Sequence, residues 1–447
     1  MNPFKPNHRK PSVALTTLGC KLNQAETDDL ARGFADLGFD LVDFDAPADA
    51  YVINTCTVTH VADRKSRQFI RQARNHNRQA WVVATGCYVN TSSEEVARTC
   101  GVDMLVANSD KAMLPQHVAD ALGVGRELPG GALEHLDPWG RTRALVKVQD
   151  GCNQFCSYCI VPTARGSERS VAPGEVLDEV RRKIAAAHKE IVLTGVHLGA
   201  YGRDLASPPG QSLCRLVAAI LSQTDVPRLR LSSLEPQDFD PNLLAVWRDR
   251  RLCRHVHLPL QSGCNSVLRR MRRRYTVEHF RHVVRQLRDA VRGIAVTTDV
   301  IVGFPGETEA EFQETYRLVK DMGFAGIHVF KYSPRRGTPA AALPDQVPYD
   351  DKKGRSDALA RLANESARAF RETFVGQTVD VLFETSLADN RAAGEGSMTW
   401  EGLTDNYLRV LAESQEPLAN ELLLVHVEEH RDGQLIGRLT SQARTSI

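Results

Sequence analysis

The chain has 447 residues, which is long enough for two or three domains that each bury a core of their own. Charged residues make up 25% of the sequence and the formal net charge is +1, so no overall electrostatic field draws the protein to nucleic acid or to a membrane. Its ten cysteines are scattered except for one tight group of three, which excludes a disulfide framework and indicates thiol ligands in a reducing compartment. No stretch approaches the roughly eighteen apolar residues of a membrane span, so we predict a cytoplasmic protein without a membrane partner.

The first predicted domain, residues 12–124, alternates short β-rich runs with helical patterns. The runs cover residues 13–18, 51–56 and 81–87, and the helix after the third run is expected to begin near Ser92 or Ser93. Alternation of this kind predicts an open parallel α/β domain with right-handed crossovers.

Three cysteines in this domain lie at the junction between a predicted strand and the helix that follows it: Cys20, Cys56 and Cys87. These junctions lie at the carboxyl edge of a parallel sheet, where open α/β folds bind ligands, and helix N-termini favour thiolate. Any one of the three would more often be a buried core residue. Because all three occupy equivalent positions, they predict an iron–sulfur cluster with one open iron. The other single cysteines lack this placement and are predicted to be core thiols: Cys100, Cys214, Cys253 and Cys264.

A connector is predicted at residues 125–140, because glycine and proline interrupt this stretch and no apolar period runs through it. The tight cysteine group follows, with Cys152, Cys156 and Cys159 in the spacing CxxxCxxC. That spacing lets one short loop hold three corners of a 4Fe-4S cluster and leaves the fourth iron without a protein ligand. The open iron can chelate a cofactor, as the open position of a catalytic zinc does. A zinc knuckle without its fourth ligand, or three buried structural thiols, are the alternative interpretations.

The triplet, with Tyr158 before its last cysteine and a β-like run leading into it, resembles the radical S-adenosylmethionine (SAM) superfamily. That resemblance implies that SAM binds the open iron and that an electron from the cluster cleaves it to a 5′-deoxyadenosyl radical. The segment 141–345 also matches the partial (β/α)6 barrel of that superfamily. Its six β-like runs alternate with helical patterns and cover residues 144–149, 190–196, 229–234, 255–260, 295–302 and 326–331.

Residues at the carboxyl ends of barrel strands are expected to line a SAM pocket, since barrel chemistry gathers there. Gly195 would let the backbone meet the amino group of SAM, and Glu235 is suited to the ribose hydroxyls or the amine. Thr298 belongs to a run of small residues that would allow the adenine to approach, and Tyr158 completes the predicted cofactor contacts. Each of these residues taken singly also fits an ordinary turn or strand cap.

One dense cationic block, residues 269–274, contains five arginines. It follows the fourth barrel strand, so we predict a phosphate-contacting surface for RNA, with a solvated basic helix end as the alternative.

The C-terminal part is predicted to contain a bridging helix at residues 346–374 and a small β domain at residues 375–440. Five alternating runs in the latter predict a closed β-barrel that resembles the TRAM domain. From Gly376 onward there are twelve acidic residues, five arginines and no lysine, a net charge of −7. A surface of that sign repels phosphate and suits a basic protein partner better than RNA.

A closer resemblance rests on residues 17–27 (TLGCKLNQAET), residues 54–59 (NTCTVT) and the pair Gly86-Cys87. They resemble the N-terminal domain of the methylthiotransferases, which are radical SAM enzymes with an auxiliary 4Fe-4S cluster. The form GCKxNQ and residues 62–68 (ADRKSRQ) resemble the branch that acts on threonylcarbamoyladenosine in tRNA. The isopentenyladenosine branch usually has GCQMN at this position, and the ribosomal-protein branch has GCPKN.

This resemblance implies two 4Fe-4S clusters and SAM as cofactors, with Cys20, Cys56 and Cys87 as ligands of the second cluster. The implied reaction adds a methylthio group to the modified adenosine at position 37, next to the anticodon. The implied partners are the tRNA anticodon stem-loop, an electron donor of the flavodoxin or ferredoxin type, and a sulfur source. The acidic C-terminal domain leaves a ribosomal-protein aspartate methylthiotransferase open, and a non-catalytic iron–sulfur RNA-binding or redox protein is the other alternative.

Overall fold

A computed structural model of the protein describes residues 10–124, 141–206, 210–389 and 397–440. The first of two compact units is formed by residues 1–140 together with two short segments, 151–154 and 159–167. The second unit comprises residues 141–150, 155–158 and 168–447. The connector predicted at residues 125–140 lies outside the described residues, and the predicted domain bounds remain predictions. None of the helices in the described part combines the length and apolar character needed to cross a bilayer.

The first unit contains a five-stranded parallel sheet in the order β2-β1-β3-β4-β5. Its elements are β1 Ser12–Thr17, α1 Lys21–Asp36, β2 Asp40–Val42, β3 Ala50–Thr55, α2 His60–His76, β4 Trp81–Gly86, α3 Cys87–Cys100, β5 Met104–Val106 and α4 Leu114–Ala121. Apolar side chains are buried on both faces of the sheet, so the predicted open parallel α/β domain is confirmed. The strand order reverses between β1 and β3, and open α/β sheets bind ligands at this switch point.

Local sequence explains where two of these helices begin. The hydroxyl of Thr59 accepts a hydrogen bond from the backbone N–H of Ala62, which caps the N-terminus of α2. The segment α3 begins at Cys87 and joins two helices across a kink, so the predicted start near Ser92 or Ser93 corresponds to the second of these helices, and the first was not predicted. The backbone of Ser92 leaves helical geometry, so the sequence signal there marks a kink inside the helix.

The second unit contains the partial barrel, whose six parallel strands follow one another in chain order. Two three-stranded sheets are joined by a bridge between Ser233 and His257, so the predicted architecture is confirmed. The elements of this region are β6 Arg143–Lys147, β7 Gln149–Asp150, α5 Val161–Arg165, β8 Arg169–Ser170, α6 Pro173–Ala185, β9 Glu190–Thr194, α7 Leu213–Gln223, β10 Leu229–Leu231, α8 Leu243–Val246, β11 His255–His257, α9 Asn265–Arg270, α10 Val277–Ala290, β12 Ala295–Val302, α11 Glu309–Met322, β13 Gly326–Lys331 and α12 Tyr349–Glu372. Of these, α5 belongs to the first unit.

Five strands close into the predicted C-terminal β-barrel, in the order β14-β15-β16-β18-β17. Neighbouring strands are antiparallel except for the parallel pair β16 and β18. They are β14 Thr378–Asp389, β15 Met398–Thr404, β16 Arg409–Ser414, β17 Leu422–Arg431 and β18 Gln434–Leu439. A core that includes Val381, Phe383 and Val425 fills its interior.

The C-terminal barrel docks on arginines at the amino ends of the parallel strands, opposite the edge where barrel chemistry gathers. Arg230 is fully buried, forms a bidentate pair with Glu190 at 2.6 and 2.9 Å, and donates to the carbonyl oxygens of Thr404 and Asp405. Arg254 forms a second bidentate pair with the Asp405 carboxylate at 2.6 and 3.0 Å. The docking surface is therefore built from paired charges.

Candidate metal centre and cofactor site

Cys20, Cys56 and Cys87 come together at the switch point of the N-terminal sheet. Cys20 caps α1 after β1, Cys56 directly follows β3, and Cys87 is the first residue of α3 after β4. The strands β1, β3 and β4 are neighbours and end level with one another, since Thr17 pairs with Asn54 and Thr55 pairs with Gly86. Asn23 ties the first two ends together, because its side-chain amide donates to the carbonyl oxygens of Leu18 and Thr55.

Burial and mutual repulsion act on these thiols. Burial raises the pKa of Cys56 to about 11, and the nearby Cys87 and Cys20 add to this rise. Burial also raises the pKa of Cys87. Burial therefore opposes the thiolate form that the helix N-termini are expected to favour at these two residues. A metal centre that binds here must displace protons from the thiols.

A buried polar network surrounds the same cysteines. Arg165 donates to Glu26 at 2.9 and 3.2 Å and to the side-chain oxygen of Asn23 at 2.5 Å. Lys111 donates to Oε2 of the same Glu26 carboxylate at 2.5 Å, an oxygen that it shares with Arg165, and to the side-chain oxygen of Asn54 at 3.2 Å. The charges of Arg165 and Lys111, and a hydrogen bond from Arg165, favour the thiolate form of Cys87 and so lower its pKa against the effect of burial. Burial lowers the pKa of Lys111 and the Glu26 carboxylate raises it. Two basic side chains thus stand beside the thiols, and positive charge there favours a negatively charged cluster.

The triplet cysteines lie in the loop after β7. Gly151 begins this loop with φ of +69°, and a Cβ atom there would lie 1.9 Å from the carbonyl oxygen of Ser167, so only glycine fits. Further along, Ser157 anchors the loop through bonds to the carbonyl oxygens of Met271 and Arg270, at 3.1 and 2.8 Å.

Arg273 is buried against Cys156 of the triplet, and reasoning from the sequence missed this contact. Its guanidinium donates to the sulfur of Cys156 at 3.3 Å, pairs with the Glu235 carboxylate, and lies 5.0 Å from the ring centre of Tyr275. Burial alone would lower the pKa of Arg273, but the tyrosines and Glu235 around it raise it well above its ordinary value. The side chain therefore stays cationic beside the sulfur.

The inward position of Arg273 reduces the RNA surface predicted at residues 269–274. Arg273 faces inward, and Arg270 is bound by Glu311 at 2.8 and 2.9 Å, so two of the five arginines have internal partners. Arg269, Arg272 and Arg274 are exposed. An RNA contact at this block stays a prediction for those three residues alone.

The predicted SAM contacts occupy the ends of barrel strands. Gly195 follows β9, where a Cβ atom would lie 3.0 Å from the side chain of Gln149, and Tyr158 packs edge-on against Phe304. Glu235 follows β10 with its carboxylate on Arg273. The hydroxyl of Thr298 is engaged by backbone groups of the loop after β11, donating to Leu258 at 2.7 Å and accepting from Leu260 at 3.0 Å, which favours a structural role for it.

A buried histidine after β9 is a second group that reasoning from the sequence missed. The ring nitrogens of His197 lie 2.9 Å from Glu168 and 2.6 Å from Asp238. Burial would raise the pKa of Asp238, but His197 and Arg203 hold it below its ordinary value.

Among the predicted core thiols, Cys253 and Cys264 are buried and Cys214 is half-buried, while the side chain of Cys100 lies outside the described part of the chain.

Comparisons with known proteins agree with this architecture. A family model described as the Radical SAM superfamily matches residues 146–319, and one described as Uncharacterized protein family UPF0004 matches residues 12–107. The threonylcarbamoyladenosine tRNA methylthiotransferase MtaB of Bacillus subtilis is 38% identical over 95% of this chain and 96% of its own length. A tRNA-2-methylthio-N(6)-dimethylallyladenosine synthase of Moorella thermoacetica is 36% identical over 84% of this chain and 87% of its own.

The chain belongs to the radical SAM methylthiotransferase family.

A solved structure supports the fold alone. The radical S-adenosylmethionine methyltransferase TsrM of Kitasatospora setae superposes with a TM-score of 0.55 at 17% identity, over 74% of this chain and 77% of its own. As a radical SAM methylthiotransferase, the protein is an enzyme that uses SAM and a 4Fe-4S cluster. The donor chemistry of the triplet loop fits that cluster, since three sulfurs are available and a buried guanidinium donates to one of them, which is a recognised way of tuning iron–sulfur centres.

Proposed function

We propose that this methylthiotransferase converts N6-threonylcarbamoyladenosine at position 37 of tRNA to its 2-methylthio derivative. The observation that carries the proposal is the convergence of Cys20, Cys56 and Cys87 at the switch point, beside the cations Arg165 and Lys111. Three thiols in a positively charged pocket have the ligand set of a second 4Fe-4S cluster with an open iron. A methylthiotransferase needs such a centre in addition to the one that cleaves SAM.

The target atom explains why two centres are needed. Carbon 2 of adenine carries neither an acidic proton nor a leaving group, so acid–base catalysis cannot activate this atom. When bound, the cluster of Cys152, Cys156 and Cys159 with SAM would supply the radical chemistry. The cluster of Cys20, Cys56 and Cys87 would supply the sulfur, and a second SAM would supply the methyl group on that sulfur. Arg273 would hold the sulfur of Cys156 by a charge-assisted hydrogen bond and orient Glu235 toward SAM.

The choice of nucleoside rests mainly on the motif around Cys20. The relatives named for threonylcarbamoyladenosine and for dimethylallyladenosine are 38% and 36% identical, so overall identity separates the two substrates weakly. The sequence GCKLNQ at residues 19–24 favours the threonylcarbamoyl branch. Asn23 of that motif is bonded to Arg165 and to the ends of two strands, so it shapes the pocket of the second centre.

The acidic charge of the C-terminal barrel is a weaker argument for a ribosomal-protein substrate than the sequence alone indicates. Asp405 and Glu384 pair with Arg254 and Arg143 at 2.6 Å, and Asp380 lies 3.5 Å from Arg228. These three carboxylates have their basic partners within the same unit. We therefore keep tRNA as the substrate, with an anticodon stem-loop whose unpaired base can enter a pocket. A flavodoxin- or ferredoxin-type electron donor and a sulfur source would be the other partners, in the cytoplasm.

The proposal is tested with protein reconstituted anaerobically with iron and sulfide, then supplied with SAM, a reductant and tRNA. Mass spectrometry of the digested nucleosides should show the 2-methylthio product with threonylcarbamoyl tRNA and none with isopentenyl tRNA. The variant C20A/C56A/C87A should still form 5′-deoxyadenosine without product, C152A/C156A/C159A should form neither, and C214A should match the wild type.

Three results would overturn this proposal. Reduced wild-type protein that forms no 5′-deoxyadenosine would favour the non-catalytic alternative. A methylthio group on a ribosomal protein, found by mass spectrometry of a strain that has the gene and missing in its deletion, would favour the ribosomal branch. Product from C20A/C56A/C87A would remove the role of the second cluster.

A further inference from the structure

The helix α2 presents a cationic groove that neither predicted cluster uses. Arg64, Arg67 and Arg71 lie three or four positions apart in turn, which places them on one side of the helix. The groove has a volume of about 410 Å³, and amide side chains complete its lining: Gln68, Gln72 and Asn75. We call this surface the α2 groove. It lies on the helix that directly follows the loop of Cys56.

The charge of the α2 groove is not neutralised along its own helix. The only acidic residue of α2 is Asp63, and it is buried, bonded to the hydroxyl of Thr57 at 2.6 Å. Arg67 is held in place by the hydroxyl of Tyr88 at 2.6 Å and by Glu95 at 3.2 Å.

The two outer arginines of the groove are exposed to solvent. Arg64 and Arg71 make no ion pair with any residue in the described part of the chain. Like charges at helical spacing repel one another, so this arrangement costs stability in the free protein. A polyanion in the groove would relieve the repulsion and release its own counterions.

We propose that the α2 groove binds the phosphate backbone of the tRNA substrate. Arginine at phosphates, with glutamine and asparagine at phosphates and sugars, is the usual composition of a backbone-positioning surface. The exposed side chains of Val58 and Val61 add apolar area at the Cys56 end of the helix, where an unpaired base could lie against them. This inference rests on the proposed tRNA substrate and names the part of the chain that grips it.

An acidic electron-donor protein would also be attracted to a cationic face. The amide side chains between the arginines favour RNA, because they match ribose hydroxyls and phosphate oxygens along a strand. An experiment separates the two occupants by measuring RNA affinity directly, without electron transfer.

The test compares R64Q/R71Q with R361Q/R368Q in the reconstituted protein. Both pairs are exposed arginines seven positions apart on a helix, α2 in the first case and α12 in the second, so the change in net charge is the same. The dissociation constant for a fluorescent anticodon stem-loop RNA is measured by anisotropy over a range of salt concentrations. We expect R64Q/R71Q to bind on the order of tenfold more weakly, with a salt slope smaller by about 1 to 2, and R361Q/R368Q to bind like the wild type. Iron content and RNA-independent formation of 5′-deoxyadenosine should be unchanged in both.

Two outcomes would overturn the inference. Equal dissociation constants and salt slopes for R64Q/R71Q and the wild type would make the α2 groove a solvated charged face. Unchanged RNA binding with slower turnover only when a flavodoxin replaces the chemical reductant would assign the groove to the electron donor. If the wild-type protein itself does not bind the RNA, the proposed tRNA substrate fails as well, which distinguishes the two failures.

Discussion

Arg165 and Glu26 are 139 positions apart in the chain, yet the guanidinium donates to the carboxylate at 2.9 and 3.2 Å in a site closed to solvent. Arg165 ends α5, shortly after the last cysteine of the triplet, and Glu26 lies on α1, which Cys20 caps. This pair therefore ties the segment that carries Cys159 to the helix that carries one of the sheet-edge thiols, within the first unit.

Replacing Glu26 by Gln should destabilise this unit strongly. The change leaves Arg165 and Lys111 buried without their shared carboxylate, and breaking a buried ion pair from one side costs about 3–5 kcal/mol. Urea unfolding of E26Q and the wild type measures the loss. Glu94→Gln is the control, because Glu94 is 86% exposed and pairs with Arg98 on the surface, so it should change little. Equal stability of E26Q and E94Q would contradict a structural role for the network.

Replacing Gly19 by Ala should remove the second cluster alone. A Cβ atom at Gly19 would lie 2.7 Å from the sulfur of Cys56, so the thiol must move out of position. We expect iron content to fall from about eight to about four atoms per chain, with 5′-deoxyadenosine formation retained.

The matched control for G19A is Gly101→Ala. Gly101 also has a positive φ, +64°, but nothing lies within 4 Å of the added Cβ, so this variant carries the backbone strain without the crowding. It should keep the iron content of the wild type. The same iron loss in both variants would show that strain, and not the contact with Cys56, is responsible.

Replacing Arg273 by Met should impair SAM cleavage. The variant loses the hydrogen bond to Cys156 and leaves Glu235 without its partner, and removal of such a supporting group usually lowers activity or metal affinity 10–100-fold, so we expect a loss of about this size. Formation of 5′-deoxyadenosine per reconstituted cluster is the readout. Arg269→Met, at an exposed position of the same cationic block, should behave as the wild type. Wild-type cleavage by R273M would mean that the guanidinium only fills space.

The strands and the cysteine positions could be predicted from the sequence because their signals are local. A β-rich run, a following helix and a CxxxCxxC spacing are each contained within a few residues. The partners of those cysteines could not be predicted, because Glu26, Lys111 and Arg165 come from three distant segments and no spacing relates them.

The sequence also predicts the cationic block, residues 269–274, to be one surface, because nothing in it signals a turn. In the structure the backbone of Arg272 has a positive φ of 57°, and the next residue, Arg273, points inward to Cys156.

The docking of the C-terminal barrel should depend on pH through Asp405. Burial would raise the pKa of Asp405, but hydrogen bonds and charge from Arg254 hold it below its ordinary value of 3.8. A carboxyl group with a lowered folded-state pKa stabilises the fold above its unfolded-state pKa, and this contribution is lost as the pH falls through the folded-state value. Asp405→Asn should therefore cost about 2 kcal/mol at neutral pH, and the difference from the wild type should shrink as the pH falls below 3.8 and vanish below the folded-state pKa. Urea unfolding at several pH values measures this difference. Cluster-free protein is used because acid would also release iron.

The control is Glu413→Gln, at an exposed position of β16, which should show no such pH-dependent difference. A constant gap between D405N and the wild type at every pH would place the cost in packing instead of in the ion pair.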